Sequence, residues 1–310
     1  RPQRHDLKQT VSIGPGPAGP ECSIESPLMQ LGQFTLETVS GGRFKTDGGT
    51  MFGVVPRALW AKVFPPDESN MIDQATNCLL IRSGSELILI DTGYGSRLPE
   101  SQRRRTSSEE GEVLRESLSG VGVSPEEIGT VILTHLHYDH IGGALREDES
   151  GQVVPTFPNA AHVVQAGEFE WATSGREELR AAYSADWVTP LADAGLLELV
   201  EGDTELRPGI HSIVTGGHAK HHQALLLESD GQQALYIADL CPTTRHLKSL
   251  WCMGYDEEVL VTRRRKPELL GRAADEGWWV LFDHDPETVA ARLEREPRRE
   301  FTVAEALASL

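Results

Sequence analysis

The segment His135-Leu136-His137-Tyr138-Asp139-His140 puts four metal-competent side chains within six residues. Three imidazoles and a carboxylate are more than one tetrahedral zinc needs from so short a stretch, so the segment reads as half of a two-metal site. A plain core role is disfavoured, because imidazoles gain nothing from burial without partners. The apolar run Val131-Ile132-Leu133 just before it reads as a buried strand. If the chain stays extended past Thr134, a period of two places His135, His137 and Asp139 on one face. His140 then falls on the turn, and Gly142-Gly143 permit a tight backbone into the next element.

The second half of such a site has to come from elsewhere in the chain. Thr215-Gly216-Gly217-His218 follows an apolar run at 210–214. Tyr236-Ile237-Ala238-Asp239 is a short apolar run ending in an acid. Val280-Leu281-Phe282-Asp283-His284-Asp285 is an apolar strand ending in a histidine between two acids. Each places a ligand type at the mouth of a predicted strand.

Taken in order, these residues resemble the metallo-β-lactamase superfamily of binuclear metallohydrolases. That family's pattern is H-x-H-x-D-H, then a distant His, a bridging Asp and a final His. The likeness covers about residues 35–290 and includes Asp91-Thr92-Gly93 after the strand at 87–90. It implies that His135, His137 and His218 hold one metal. Asp139, His140 and His284 would hold a second, and Asp239 would bridge the two. Asp91 would orient a ligand histidine through a hydrogen bond, and His222 would support the ligands in the same way. His221 receives no role and is expected at the surface.

The implied chemistry is hydrolysis by attack of a metal-bridging hydroxide, with Asp139 and Asp239 as the catalytic carboxylates. Two divalent ions bring four positive charges and these acids remove two, so a bridging water loses a proton near neutral pH. Asp139 and Asp239 would orient the nucleophile or relay its proton. Zinc is the default for such ligands, and manganese, iron or cobalt fit the same set. The implied fold is α/β, a four-layer αββα sandwich with the metals at one edge between two sheets.

Composition agrees with a soluble enzyme. The chain has 310 residues, ample for one large α/β domain, and no composition shift marks a linker within 35–290. We expect an irregular N-terminal arm over 1–33, rich in Gly and Pro, and a single domain over 34–310. No apolar stretch approaches the ~20 residues that cross a bilayer, and residues 1–30 lack the apolar core of a secretory leader. The net charge of −18 disfavours nucleic acid and anionic membrane as partners. The basic runs Arg103-Arg104-Arg105, Arg263-Arg264-Arg265-Lys266 and Arg298-Arg299 are short, have acids nearby, and read as solvated surface. Cys22, Cys78, Cys241 and Cys252 show no C-x-x-C spacing and no disulfide framework, so a cytoplasmic setting is expected. Core packing is expected for Cys241. The family likeness is compatible with a homodimer.

The elements that must position these residues alternate. Strands are predicted near 34–40, 76–82, 86–91 and 130–135, then near 196–200, 210–214, 223–228, 234–238 and 279–282. Helices are predicted over 109–118, over 167–195 with breaks, over 256–275, and in a short segment at the C-terminus. Such alternation points to an α/β architecture.

The substrate is expected to be a small molecule with an apolar portion. Gly48–Pro56 joins apolar side chains to glycine hinges and resembles a loop that overhangs the metals in lactonase-like relatives. Trp60, Phe64, Trp171, Tyr183, Trp187, Trp251, Met253 and Tyr255 are candidates for an apolar pocket. A bridging acid argues against antibiotic hydrolysis, and the acidic surface against transfer-RNA processing. A lactonase or carboxylic esterase fits best. The alternatives are a phosphotriester or phosphodiester hydrolase of the same fold and a non-catalytic, metal-bound sensor. One departure stands out. Lactonases of the family commonly carry a tyrosine three residues after the bridging acid, where this chain has Pro242. Tyr255, Thr243 and His246 are the candidates to supply its oxyanion contact.

Overall fold

The computed structural model describes residues 28–310. Its first part runs β1 (Met29–Leu31), β2 (Phe34–Asp47), α1 (Gly48–Phe52), α2 (Arg57–Trp60), β3 (Met71–Ser83), β4 (Glu86–Ile90), α3 (Glu100–Thr106), α4 (Val113–Gly120), β5 (Thr130–Ile132) and α5 (Tyr138–Ile141). The hairpin β6 (Leu145–Glu147) and β7 (Val153–Pro155) follows, then β8 (Ala161–Gln165), α6 (Ala166–Ala172), α7 (Thr189–Asp193) and β9 (Leu197–Val200). The second part runs β10 (Glu205–Arg207), β11 (Ile210–Val214), β12 (Gln223–Ser229), β13 (Gln232–Tyr236), α8 (Val259–Glu276), β14 (Trp279–Leu281), β15 (Ala290–Glu296) and β16 (Glu300–Leu307).

The strands form two seven-stranded sheets, ordered β1-β2-β3-β4-β5-β8-β9 and β10-β11-β12-β13-β14-β15-β16. Strand alternation decides the layers. Leu79, Ile81, Ile88, Ile90 and Ile132 of the first sheet meet Leu225, Leu227, Tyr236 and Leu281 of the second in one core. Cys78, Leu80, Leu89 and Val131 point the other way, onto Leu114 and Leu118 of α4. Leu235, Val280 and Leu293 face away from the first sheet, onto Leu269, Leu270 and Ala273 of α8. Helix, sheet, sheet and helix therefore stack in four layers, as the αββα expectation requires. Strands buried on both faces read as continuous apolar runs, which is why β3, β4 and β5 were legible.

Each sheet has a parallel section. β4, β5, β8 and β9 are parallel neighbours in one, and β13 and β14 in the other. The carboxyl ends of such strands are where open α/β sheets place ligand sites. Here those ends release Asp91, His135, Asp239 and His284 toward one edge of the sandwich.

Several expectations change. Residues 29–31, placed in the irregular arm, pair with β2, and the arm's first 27 residues lie outside the described structure. The C-terminal helix is absent, because residues 300–307 form strand β16, paired along β15. The stretch 167–195 is two short helices joined by 3-10 turns rather than a broken long one. The strand at 34–40 continues past a bulge between Ser40 and Arg43 to Asp47. The extended run from β5 ends at His137, which caps α5, so Asp139 and His140 sit on a helix.

The glycines after His140 serve a purpose other than turning. A Cβ on Gly142 would lie 2.2 Å from the Tyr94 carbonyl oxygen, and one on Gly143 would lie 2.1 Å from that of Thr92. They let α5 press against the Asp91–Tyr94 loop, which orients His140. We expect Gly143→Ala to cost about 1–3 kcal/mol of stability through overpacking. Denaturant unfolding measures this, and a variant as stable as the parent would contradict the close approach.

Candidate metal centre

Seven of the nine sequence-predicted residues bring donor atoms to one point at the sheet edge. His135, His137, His218 and Asp239 form one group, and His140, Asp239 and His284 belong to another; each group's donors lie within 4.8 Å of one another. Asp239 is common to both. Its Oδ2 is 2.9 Å from His218 Nε2 and 3.7 Å from His135 Nε2, while its Oδ1 is 3.2 Å from His284 Nε2. His137 offers Nδ1, 3.0 Å from His218 Nε2. Asp139 approaches the second group from the cavity side, with Oδ2 3.7 Å from His284 Nε2 and Oδ1 4.0 Å from His140 Nε2.

The protein occupies the other nitrogen of most of these rings, which fixes ring orientation. His140 Nδ1 lies 2.9 Å from Asp91 Oδ2. Asp91 also accepts from the Thr134 amide and hydroxyl, and Thr134 in turn contacts His135 Nδ1 at 3.1 Å. His284 Nδ1 donates to the Ala75 carbonyl at 2.7 Å. His218 Nδ1 meets Asp256 Oδ1 at 3.0 Å. His222 is buried beside the group, with Nδ1 2.6 Å from Thr215 Oγ1 and its ring 5.2 Å from that of His135. His221 is half-buried against Gly167 rather than exposed.

The electrostatics follow from burial and proximity. Burial pushes His135, His137 and His222 well below the usual imidazole value, reinforced by neighbouring histidines. Burial opposes protonation of His218 and His284 too, but Asp239 together with Asp256 or Asp283 holds each up at about 10. His140 is likewise raised, by Asp91, Asp239 and Asp139 against burial. Asp239 stays well below the carboxylate range despite burial, because His218 and His284 face it.

Does the donor set fit metal ions? Nε2 of His135 and His140 and Oδ1 of Asp239 are buried with no hydrogen-bond partner among the described residues. Buried polar atoms are ordinarily satisfied, so a convergent set of orphans needs another partner. Divalent cations take this mixture of imidazole nitrogen and carboxylate oxygen. The residues fit.

Sequence reasoning missed several contributors. Asp256 lies in a run of acids with no motif. Glu168 is fully buried, accepts from the Leu136 amide at 3.0 Å and the Tyr183 hydroxyl at 2.9 Å, and is pushed up to about 7 by burial. It anchors the backbone between His135 and His137. Only three-dimensional contact reveals either residue.

A cavity of about 570 Å³ opens over the donors, with His137, Asp139 and Asp239 in its wall. Of the predicted pocket aromatics only Tyr183 and Tyr255 line it. Trp60, Phe64 and Met253 instead form a core cluster with Met51, Phe52 and Val55, with Trp251 packed against it, so the segment turns Met51, Phe52 and Val55 inward and leaves Val54 exposed. Asp47 and Thr50 reach the cavity in their place, along with Phe44, Met71, Tyr138 and Leu179. Arg105, read as solvated surface, also lines it. Thr243 and His246 are buried and bonded to each other at 2.8 Å, away from the cavity. Cys241 packs in the core, as expected.

Comparison with known proteins agrees with this geometry. A family model described as the metallo-beta-lactamase superfamily matches residues 71–298. An N-acyl homoserine lactonase from Bacillus cereus is 30% identical over 232 residues, covering 70% of this chain and 84% of that protein. The crystal structure of a probable metal-dependent hydrolase from Staphylococcus aureus superposes with a TM-score of 0.81 at 30% identity, covering 90% of this chain and 98% of the other. AidC, a dizinc quorum-quenching lactonase, shares the fold at a TM-score of 0.73 and 21% identity, covering 91% and 96%. The chain belongs to the metallo-beta-lactamase superfamily and is a metal-dependent hydrolase.

The raised values of His218 and His284 mean that both carry protons at pH 7 before metal binds. A metal has to displace them, so affinity rises with pH, by about tenfold per unit for each proton displaced. Calorimetric titration with zinc at pH 7 in buffers of different ionisation enthalpy should show net proton release. A buffer-independent enthalpy would contradict this arrangement.

Proposed function

We propose that this chain hydrolyses lactones, with N-acyl homoserine lactones as the favoured class, at a two-metal centre. The observation that carries the reading is the sharing of Asp239 by two groups of donors beneath a largely apolar cavity. Relatives named N-acyl homoserine lactonase, among them ones 27% and 30% identical over 68% and 70% of the chain, support the substrate class. His135, His137 and His218 would hold the first ion, His140, His284 and Asp139 the second, and Asp239 would serve both. Zinc suits the imidazole-rich first position. Divalent ions there supply positive charge that acidifies water and polarises a carbonyl oxygen.

The chain's own residues do the rest. Phe44, Met71 and Leu179 offer an apolar wall for an acyl chain. Asp139 reaches the donors from the cavity, where a carboxylate accepts the proton of an attacking water and returns it to the leaving alkoxide. Tyr255 takes the place of the tyrosine lost at Pro242. Its ring stands 5.8 Å from that of His218, and among the described residues its hydroxyl meets only the weak acceptor Met51 Sδ, at 3.1 Å. It is therefore free to donate to the oxygen that gains charge as the lactone carbonyl becomes tetrahedral.

The test is hydrolysis by zinc- or manganese-loaded protein of a long-chain acyl homoserine lactone, an aryl ester and an aryl phosphotriester. We expect lactone turnover that Asp239→Asn abolishes. Tyr255→Phe should lower kcat about 10²–10³-fold with a smaller effect on KM. Turnover of the phosphotriester alone would move the substrate class. Silence on all three by fully metallated protein would favour a non-catalytic, metal-bound sensor.

A further inference from the structure

His284 stands between two acids that the structure treats in opposite ways. Asp285 is fully buried and its carboxylate is satisfied. It accepts from the Thr244 amide and hydroxyl, from the amides of Glu287 and Thr288, and from the Arg245 guanidinium. It ties the loop after Pro242 to the end of β14.

Asp283 is just as inaccessible, at 2% exposure, but only half of its carboxylate is used. Oδ1 accepts from the His284 amide at 3.1 Å. Oδ2 is buried with no hydrogen-bond partner, and no lysine or arginine among the described residues pairs with it. That atom lies 3.7 Å from His284 Nε2, and Asp283 offers a ligand atom within 4.8 Å of those of His140, Asp239 and His284. The backbone holds it there. The Asn77 amide donates to the Asp283 carbonyl at 2.7 Å, and Asn77 Nδ2 donates to the carbonyls of Phe282 and Asp285.

A buried carboxylate oxygen with no hydrogen-bond donor, among the donor atoms of His140, Asp239 and His284, calls for another partner. Asp139 and Asp283 both lie near His284 Nε2, each with an oxygen 3.7 Å away. Asp139 lines the cavity and Asp283 does not. We propose that Asp283 is a further ligand of the second metal position, closing its coordination on the protein side while Asp139 and the cavity side stay accessible. This rests on the two-metal reading above. It makes the two positions chemically unequal. The first holds three imidazoles and one carboxylate, and the second holds two imidazoles and the carboxylates of Asp139, Asp239 and Asp283. Oxygen-rich sites suit manganese and similar hard ions.

The test is calorimetric titration of the metal-free full chain with Mn²⁺, for the parent and for Asp283→Asn, with thermal melting of both metal-free proteins. The parent should bind two ions per chain. In Asp283→Asn the first event should be unchanged and the second weakened about 10–100-fold. Metal-free Asp283→Asn should melt no lower than the parent, because Oδ2 has no protein donor to lose, whereas a purely structural acid would lose stability. A second event within twofold of the parent's, or a variant that melts lower or fails to fold, would overturn the role of Asp283 and leave the two-metal reading intact. A parent that binds a single ion would overturn both.

Discussion

The structure is organised around a carboxylate that cannot be left alone. Asp239 is buried at the edge between two sheets, with imidazole nitrogens of His135, His140, His218 and His284 all within 4 Å of its oxygens. Removing such a charge from water is costly, and its partners must return that energy through close contact. Without metal, protons on His218, His284 and His140 serve this purpose. In the proposed two-metal state, two cations would do so and the imidazoles would become neutral ligands. The same residues therefore couple protonation, metal occupancy and stability.

Much of the surrounding fold can be read as delivery to that point. The parallel sections of the two sheets aim β4, β5, β13 and β14 at one edge, so four chain segments distant in sequence arrive together. Local strain accompanies the arrival. Asp91 and Ala238 adopt left-handed backbone conformations, with φ of 56° and 48°, although neither is glycine. Such conformations persist where the surroundings overdetermine them, and they cluster at functional sites. Asp91 repays its strain with bonds to Thr134 and His140. Ala238 turns the chain out of β13 so that Asp239 enters between the two donor groups.

The legible part of this arrangement was the part encoded locally. His135 to His140 announce themselves by spacing, and His218, Asp239 and His284 each follow an apolar strand, but it is the resemblance to the family pattern that groups them. Asp91 rests on the same resemblance, through Asp91-Thr92-Gly93 after β4. Asp256 and Glu168 could not be found, because what marks them is a contact to a residue tens of positions away. The apolar side chains of Gly48–Pro56 misled for the same reason. A buried aromatic and a pocket aromatic look alike in sequence, and Phe52 chose Trp60 and His246 as stacking partners. At the C-terminus, Ala, Glu and Leu suggest helix, yet pairing with β15 outweighs that weak propensity and makes 300–307 a strand.

The central claim is that Asp239 joins two metal positions. Anomalous diffraction at the zinc edge from crystals of zinc-loaded protein tests it most directly. Two peaks roughly 3.5–4 Å apart are expected, one on each side of the Asp239 carboxylate. A single peak among His135, His137 and His218, with His140 and His284 unligated, would contradict it.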